Sequence, residues 1–301
     1  MKDNKFKTKA IREGYQPTQE QEHSAAIFLT SSFRFDSAEQ AAKRFDNKDQ
    51  GNVYSRFTNP SVVAFEEKLA ALEGAEQCLA TASGMSAIFA TIMTLLKPGE
   101  HMVASRGMFG TTIVLLNTVI QKFGIEVTFV DLPDLNDWKN SVQTNTKLFM
   151  LETPSNPLGE VVDLRALSAI SKKNNIILAV DNCIMTPALQ KPLALGADLV
   201  IHSATKYIDG QGRCLAGAIA GNNKLIDEIS SFARSTGPTL SAFNAWIVFK
   251  GLETLSLRMQ AHCENAKKLA VCLNEQKFVK KVHYLGLESH PHHSIAKEQQ
   301  S

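Results

Sequence analysis

The chain has 301 residues, enough for about two domains, and its composition is that of an ordinary soluble globular protein. Its 32 basic and 30 acidic side chains give a formal charge of +2, so no global field attracts nucleic acid or an anionic membrane. We therefore expect a small-molecule ligand. The five cysteines include no Cys-x-x-Cys pair, which argues against a zinc site and a secreted disulfide framework. No apolar run approaches a membrane span, and we expect a cytoplasmic protein with reduced thiols.

The beginning of the chain is predicted to be an N-terminal arm, residues 1–48, because it lacks the periodicity of an independent core. Such an arm packs on another part of the protein or on another subunit. The turn-rich loop after it carries Tyr54 and Arg56, whose side chains share a face if the loop is extended. Taken alone, an ordinary surface loop is the simpler explanation, because both residue types are common on surfaces.

An α/β pattern begins at Ser61. An amphipathic helix is followed by a short strand at 77–81, the turn Ser83-Gly84-Met85-Ser86 and an apolar helix at 87–96. A strand, a glycine turn and a helix together present free N–H groups and the positive end of a helix dipole to an anion. A simple tight turn explains the pattern equally well. The chain has neither a Gly-x-Gly-x-x-Gly fingerprint nor a P-loop, so dinucleotide and P-loop functions lose their main support.

The alternation of strands and helices continues and predicts a mostly parallel sheet covered by helices, with ligands at the carboxyl ends of the strands. Strands are predicted at 101–104, 125–130, 148–151, 176–180, 197–202 and 215–220, and helices at 110–123, 164–173 and 223–234. Asn156 follows one strand in a loop that two prolines fix. Asp181 ends a very apolar strand, where a carboxylate must be paired or must cap a helix; an N-cap is the commoner explanation.

Lys206 follows the predicted strand at 197–202 and stands between the hydroxyl residues Ser203 and Thr205. A lysine buried among hydrogen-bond donors and other cations loses part of its preference for the charged form. Its neutral amine can then condense with an aldehyde, as a Schiff-base lysine does. A solvated lysine at a turn is the alternative.

The last part of the chain is predicted to contain one long amphipathic helix, 241–273, that links two domains, and a strand that begins at Phe278. His283, His290, His292 and His293 could bind a metal, but no carboxylate or thiol accompanies them. We therefore expect a solvated histidine-rich loop and no metal site.

Together these segments resemble the Cys/Met-metabolism family of pyridoxal-phosphate (PLP) enzymes, the cystathionine γ-synthase-like group. The matching motifs, in order, are Ala10-Ile11-Arg12, Leu29-Thr30-Ser31-Ser32-Phe33, Tyr54-Ser55-Arg56, Ser83-Gly84-Met85, Val180-Asp181-Asn182, Ser203-Ala204-Thr205-Lys206-Tyr207 and Phe243-Asn244-Ala245-Trp246. The resemblance implies the aminotransferase type I fold, an α/β fold with a mostly parallel seven-stranded sheet covered by helices. It further implies a PLP-binding large domain at 49–245, and a linking helix with the start of an incomplete C-terminal domain at 246–301.

The resemblance also implies the roles of the site residues. Lys206 would carry PLP and move protons, Asp181 would keep the pyridine nitrogen protonated, and Phe109 would stack on the ring where many members have a tyrosine. Asn156 would lie near the phenolic oxygen of PLP and the substrate carboxylate. The phosphate would be held by the amides of Gly84 and Met85, the hydroxyls of Ser203 and Thr205, and Tyr54 and Arg56 from a neighbouring subunit. That sharing implies a homo-oligomer, either a dimer or a tetramer.

The stretch Gly210-Gln211-Gly212-Arg213 stands where many members have Gly-His-Ser-Asp, and it resembles the O-succinylhomoserine sulfhydrylase branch of the family. The implied reaction is γ-replacement, in which succinate leaves an O-acylated homoserine and sulfide or another thiol adds. Cystathionine γ-synthase and cystathionine γ- or β-lyase are alternatives within the family. Members carry a further C-terminal portion with an arginine that holds the substrate carboxylate, and no residue here can be assigned that role. A PLP-binding remnant with little turnover is therefore a second hypothesis.

Overall fold

A computed structural model describes residues 5–46 and 48–300, and a seven-stranded sheet forms the centre of this part of the chain. The strands are β1 (Gln77–Thr81), β2 (His101–Ser105), β3 (Glu126–Val130), β4 (Thr146–Glu152), β5 (Ile177–Asp181), β6 (Leu199–His202) and β7 (Gly217–Gly221). Their order across the sheet is β1-β7-β6-β5-β4-β2-β3, and only β7 runs antiparallel to its neighbours. The predicted mostly parallel sheet is confirmed.

Helices cover the sheet on both faces. They are α1 (Phe6–Arg12), α2 (Ala38–Phe45), α3 (Pro60–Glu73), α4 (Gly84–Leu95), α5 (Gly110–Val114), α6 (Leu135–Asn140), α7 (Leu164–Lys173), α8 (Thr186–Leu189), α9 (Asn223–Thr236), α10 (Ala242–Glu253), α11 (Leu255–Asn274) and α12 (His293–Gln299). The helix predicted at 110–123 is α5 followed by a π turn, Leu115–Val119, and a 3-10 turn, Ile120–Phe123. The single long helix predicted at 241–273 is wrong, because Thr254 interrupts it between α10 and α11.

The core explains why the strands are so apolar. The residues of β2 and β7 are buried throughout, as expected for strands covered by helices on both faces. On one face α3 and α10 pack over β1 and β7, with Phe65, Leu69 and Leu72 of α3 fully buried. Burial of each such side chain contributes about 1.5–3 kcal/mol. The opposite face carries α4 and α9 over the same sheet.

This topology brings the turns after several strands to one end of the sheet, where the parallel strands terminate. We call this end the sheet edge. The ends of β1, β2, β4, β5 and β6 lie there, together with the beginning of the antiparallel strand β7. The last residue pairs of the ladders lie there. They are Thr81 with Gly217 between β1 and β7, His202 with Ala218 between β6 and β7, and Glu152 with Asp181 between β4 and β5. Polar residues that follow these strands are therefore neighbours in space although they are far apart in sequence.

The N-terminal arm packs on its own chain within the described residues, and residues 1–4 and 47 of the predicted arm lie outside them. Ala10 of α1 is 1% exposed and belongs to the core cluster of α3 and α10. The indole Nε1 of Trp246 donates to the Ala25 carbonyl oxygen at 2.8 Å. The tryptophan of the Phe243–Trp246 motif therefore fastens the arm to α10.

The C-terminal segment differs from its prediction. No strand begins at Phe278; residues 278–292 of the described chain form turns before α12. The predicted solvated histidine-rich loop is wrong in part. His283 is exposed, but His290 is 8% exposed and the Nδ1 of His292 accepts the Val161 N–H at 3.2 Å. Gln299 fixes the same region by accepting the Leu164 N–H at 2.7 Å. None of the helices in the described part of the chain is long and apolar enough to cross a membrane.

Candidate active site

The start of α4 presents two free amides at the edge of the sheet. Ser83 and Ser86 form a capping box, in which the Oγ of Ser83 accepts the Ser86 N–H at 3.1 Å and the Oγ of Ser86 accepts the Ser83 N–H at 2.9 Å. Among the described residues, no acceptor is found for the N–H groups of Gly84 and Met85. Free N–H groups at the positive end of a helix are suited to bind an anion.

Ser203 lies directly against this helix start. A Cβ atom added to Gly84 would lie 2.7 Å from the Cβ of Ser203, which is closer than side-chain atoms tolerate. Only glycine therefore allows this contact between the beginning of α4 and the residue after β6. The Ser203 hydroxyl and the two free amides consequently surround the same space.

The turn after β6 is fixed by its contacts with the residue before β7. The Oγ1 of Thr205 donates to the Ala216 carbonyl oxygen at 3.2 Å and accepts the Ala216 N–H at 3.0 Å. The Lys206 N–H donates to the Ser203 carbonyl oxygen at 3.2 Å. The predicted burial of Lys206 is wrong for this chain, because its side chain is exposed. The turn carries Lys206 beyond the end of the strand, so its amine projects from the edge of the sheet.

The loop that continues from Lys206 is held by two arginines. Asp209 is fully buried, and its carboxylate accepts the Arg213 Nε at 2.8 Å and the Arg213 N–H at 2.7 Å. Arg258 of α11 donates to the Tyr207 carbonyl oxygen at 2.6 Å. These bonds fix the backbone on the carboxyl side of Lys206, so the lysine extends from a rigid base.

Two carboxyl groups stand next to each other on β4 and β5, where Glu152 pairs with Asp181. The Oδ1 of Asp181 accepts the Cys183 N–H at 3.0 Å in the turn that follows β5. Asp181 is not a helix N-cap, because α8 begins only at Thr186 and its N-cap residue is Met185. Burial raises the pKa of Asp181 to about 6, against the opposing effects of that N–H and of His202. Burial raises the pKa of Glu152 to about 8, and the charge of Asp181 adds to the effect. A cation beside Asp181 would restore its ionised form.

Phe109 and Asn156 lie on two loops that touch. The N–H of Phe109 donates to the Oε2 of Glu152 at 2.7 Å, and the ring is 48% exposed. The Asn156 N–H donates to the Gly107 carbonyl oxygen at 3.3 Å, and a Cβ on Gly107 would lie 2.8 Å from the Cβ of Ser155. The loops after β2 and β4 are therefore in close contact. Asn156 also lines a cavity of about 690 Å³, which lies within the range of small-molecule sites.

Tyr54 and Arg56 lie apart from these residues in the same chain. The guanidinium carbon of Arg56 is 5.5 Å from the Tyr54 ring centroid and 4.7 Å from that of Phe57. Arg56 also donates to the carbonyl oxygen of Arg234 in α9. Both side chains are exposed, and none of their described contacts involves Lys206 or the start of α4.

Glu152 was not among the predicted site residues, although its position resembles that of Asp181. Both carboxyl residues directly follow a buried apolar run, and both end a parallel strand. The same sequence signal would have found Glu152. Its contact with the Phe109 N–H could not be predicted, because it joins residues 43 positions apart.

The arrangement fits PLP. Ser203 follows β6, Asp181 ends the adjacent strand β5, and neighbouring strands lie about 4.8 Å apart. The anion-binding groups at Gly84 and Ser203 are therefore separated from the Asp181 carboxylate by roughly the length of a substituted pyridine ring. The close approach of Gly84 to Ser203 leaves the two free amides accessible to a phosphate. The amine of Lys206 follows β6, and Phe109 is bound through its N–H to Glu152, the partner of Asp181 across the ladder. This donor set offers one partner for each functional group of PLP.

Comparison with protein families matches residues 7–301 to a family described as Cys/Met metabolism PLP-dependent enzyme. O-succinylhomoserine sulfhydrylase of Pseudomonas aeruginosa is 54% identical over 296 residues, which are 98% of this chain and 73% of the relative. L-methionine gamma-lyase of Fusobacterium nucleatum subsp. polymorphum is 45% identical over 276 residues, 91% of this chain and 70% of the relative.

A solved structure from Campylobacter jejuni subsp. jejuni superposes with a TM-score of 0.94 at 30% sequence identity, over 98% of this chain and 82% of the other. That protein is provisionally described as an O-acetylhomoserine (thiol)-lyase, and it carries N′-pyridoxyl-lysine-5′-monophosphate. The likeness extends over nearly all of the present chain.

Proposed function

Because the chain belongs to the family of Cys/Met metabolism PLP-dependent enzymes, we propose that it catalyses γ-replacement on an O-acylated homoserine. The reaction that we favour converts O-succinylhomoserine and hydrogen sulfide into homocysteine and succinate. The carbon–oxygen bond at Cγ breaks, and a carbon–sulfur bond forms at the same carbon. The observation that carries the choice is the 54% identity to a sulfhydrylase over 98% of this chain.

Different residues at the sheet edge would bind different parts of the cofactor. Lys206 would attach the aldehyde carbon of PLP through its Nζ, and Asp181 would pair with the pyridine nitrogen. The amides of Gly84 and Met85 and the hydroxyls of Ser203 and Thr205 would bind the phosphate. Phe109 would cover one face of the ring, and Asn156 would donate to the phenolic oxygen. All of these residues lie between 49 and 245, which we propose as the cofactor-binding domain, with residues 246–301 as a linking helix and the start of a C-terminal domain.

PLP, when bound, supplies an electron sink for the negative charge that develops when protons leave the substrate carbons. The contribution of this chain is to hold and move those protons. The Nζ of Lys206, when it is not attached to the cofactor, would be the base that takes the proton from the substrate Cα and returns it later. The exposed position of Lys206 on a fixed turn supports this role, because the side chain is free to swing while its backbone stays in place.

Tyr54 and Arg56 enter the proposal through a second copy of the chain. Their exposed side chains make no described contact with the Lys206 edge of their own chain, so they are available to the phosphate site of a neighbour. The proposed active unit is therefore a dimer that shares two sites. This arrangement would place a guanidinium against a phosphate, which is a strong charge-assisted hydrogen bond.

Methionine γ-lyase is the second candidate, because a relative of that name is 45% identical over 91% of this chain. The two reactions differ in the leaving group and in whether a thiol then adds at Cγ. The test supplies the purified, PLP-loaded chain with O-succinylhomoserine or O-acetylhomoserine plus sulfide, and separately with L-methionine alone. Homocysteine formed at a higher kcat/KM from the succinyl ester supports the proposal. Methanethiol from L-methionine as the main activity would replace it with the lyase function.

A further inference from the structure

A fully buried glutamate–histidine pair lies next to residues of the proposed site. Glu73, the last residue of α3, and His202, the last residue of β6, are joined by a contact of 2.6 Å between the Oε1 of Glu73 and the Nε2 of His202. Neither side chain is accessible to solvent. The Oε2 of Glu73 and the Nδ1 of His202 have no partner among the described residues.

The same oxygen atom of Glu73 has a second partner. The Nδ2 of Asn182 donates to the Oε1 of Glu73 at 3.3 Å and to the Gln190 carbonyl oxygen at 2.9 Å. The Asn182 N–H donates to the Ile201 carbonyl oxygen at 2.9 Å, so Asn182 is also fixed to β6. One carboxylate oxygen therefore connects the turn after β5 with the end of β6.

The partners of Glu73 are next in sequence to two proposed cofactor ligands. Asn182 directly follows Asp181, and His202 directly precedes Ser203. Asp181 is the proposed partner of the pyridine nitrogen, and Ser203 is a proposed partner of the phosphate. Glu73 thus links the residues next to the two ends of the proposed cofactor site. It comes from a helix that contributes none of the proposed ligands.

A purely stabilising role does not account well for this pair. Removing two ionisable side chains from water costs free energy, and replacing such a buried pair by apolar residues of similar volume is often neutral or stabilising. The orphaned Oε2 and Nδ1 atoms add to the cost. Burial of this pair costs free energy, and the pair contacts the residues next to Asp181 and Ser203. A role in positioning these two proposed ligands therefore explains the pair better than a role in stability.

We propose that Glu73 is a positioning residue that sets the spacing between Asp181 and Ser203 and so the fit of PLP. The proposal rests on the proposed function, because it assumes that these two residues bind opposite ends of the cofactor. Supporting partners of metal ligands typically contribute 10–100-fold to affinity. By analogy, loss of the Glu73 carboxylate should weaken PLP binding about tenfold or more.

The test measures the PLP dissociation constant of the apoprotein and the visible circular dichroism of bound PLP. Glu73→Leu should weaken binding about tenfold and reduce the dichroic band, whereas Glu73→Gln, which keeps the Oε1 acceptor, should remain within about threefold of the wild type. The matched control is Glu66→Leu, on the same helix, whose carboxyl group accepts the Ala80 N–H within β1 at 2.7 Å and makes no described contact with Asn182 or His202. It should lower thermal stability without changing PLP affinity.

Wild-type affinity and dichroism in Glu73→Leu would overturn the positioning role and leave Glu73 a structural residue. If that variant does not fold, Glu73→Leu combined with His202→Leu replaces both polar side chains with apolar groups and is expected to fold. Weakened PLP binding in the folded double variant supports the proposal, and wild-type binding overturns it. A wild-type chain on which borohydride traps no PLP at Lys206 would instead refute the proposed function.

Discussion

Glu152 and Asp181 are direct partners across the β4–β5 ladder, and burial raises the pKa of both carboxyl groups, to about 8 and about 6. The two differ in their hydrogen bonds: Glu152 accepts the Phe109 N–H, whereas Asp181 accepts that of Cys183. A cationic pyridine nitrogen at Asp181 would keep that carboxylate ionised, and the negative charge would then favour the protonated form of Glu152. With a cation beside Asp181, we therefore expect Asp181 to be ionised and Glu152 to be neutral at neutral pH.

Glu152→Gln should consequently preserve the site, because glutamine resembles the protonated acid and keeps an acceptor for the Phe109 N–H. We also expect it to change the pH dependence of stability. A carboxyl group whose folded pKa is raised destabilises the fold as pH rises from its ordinary value of 4.5 to about 8. In urea unfolding of the apoprotein, the wild type should lose stability across that range, and Glu152→Gln should lose less.

Asp181→Asn provides the comparison for this experiment. It removes the part of the pH dependence between 3.8 and about 6, and it lowers the pKa of Glu152 only partly, because burial is the larger cause of that shift and the charge of Asp181 the smaller one. An equal loss of stability above pH 6 in the wild type and in Glu152→Gln would contradict the assignment of the raised pKa to Glu152.

Lys206→Ala should abolish covalent attachment of PLP while leaving the fold intact. The Lys206 side chain is exposed, and the turn around it is held by backbone groups and by Arg258 rather than by the amine. We expect a stability change within about 0.5 kcal/mol, as for other exposed positions. The measurement is borohydride reduction of the PLP-treated protein, followed by mass spectrometry of the labelled peptide. Lys224→Ala, an exposed lysine of α9, is the control, and label retained in Lys206→Ala would refute the assignment.

Local sequence patterns predicted the elements that set the sheet edge. The predicted helix at 164–173 coincides with α7, and the predicted strand at 77–81 coincides with β1. Asp181 and Glu152 were accessible to the same reasoning, because each ends a buried apolar run. The strand predicted from Phe278 was wrong because this segment is fixed by long-range contacts, such as that of His292 with Val161, which local patterns do not contain. The role proposed for Glu73 could not be predicted from local patterns either, because it depends on a contact with His202, which lies 129 positions away.

Arg56→Ala should inactivate the enzyme by weakening phosphate binding in the neighbouring subunit. Mixed with Lys206→Ala under conditions that exchange subunits, it should recover activity, because each hybrid dimer contains one site with both intact residues. Random pairing predicts about a quarter of the wild-type activity. The assay is homocysteine formation after refolding the two variants together. No recovery, in a mixture shown to contain hybrid dimers, would place Arg56 and Lys206 in the same subunit's site.

Lys68 provides a prediction about stability that does not depend on the cofactor. Its side chain is fully buried, with the Nζ 3.5 Å from the Phe249 ring centroid and 3.8 Å from an oxygen of Glu253. Burial lowers the pKa of Lys68 from 10.5 to about 8, an effect that the charge of Glu253 only partly opposes. The unfolded chain therefore binds more protons between about pH 8 and pH 10.5, and this group makes the free energy of unfolding rise with pH across that window.

Lys68→Met should remove that rise and stabilise the protein at pH 7. The full shift corresponds to roughly 3 kcal/mol at about 1.36 kcal/mol per pH unit, and loss of the cation–π contact offsets part of it. We expect a gain of about 1–2 kcal/mol in urea unfolding at pH 7 and a flatter profile above pH 8. Lys250→Met is the matched control, because Lys250 binds the same Glu253 at 2.7 Å from a partly exposed position and should change stability little. A loss of stability in Lys68→Met at pH 7, with the rise above pH 8 retained, would mean that other groups cause the rise and that Lys68 stabilises the fold through its contacts with Phe249 and Glu253.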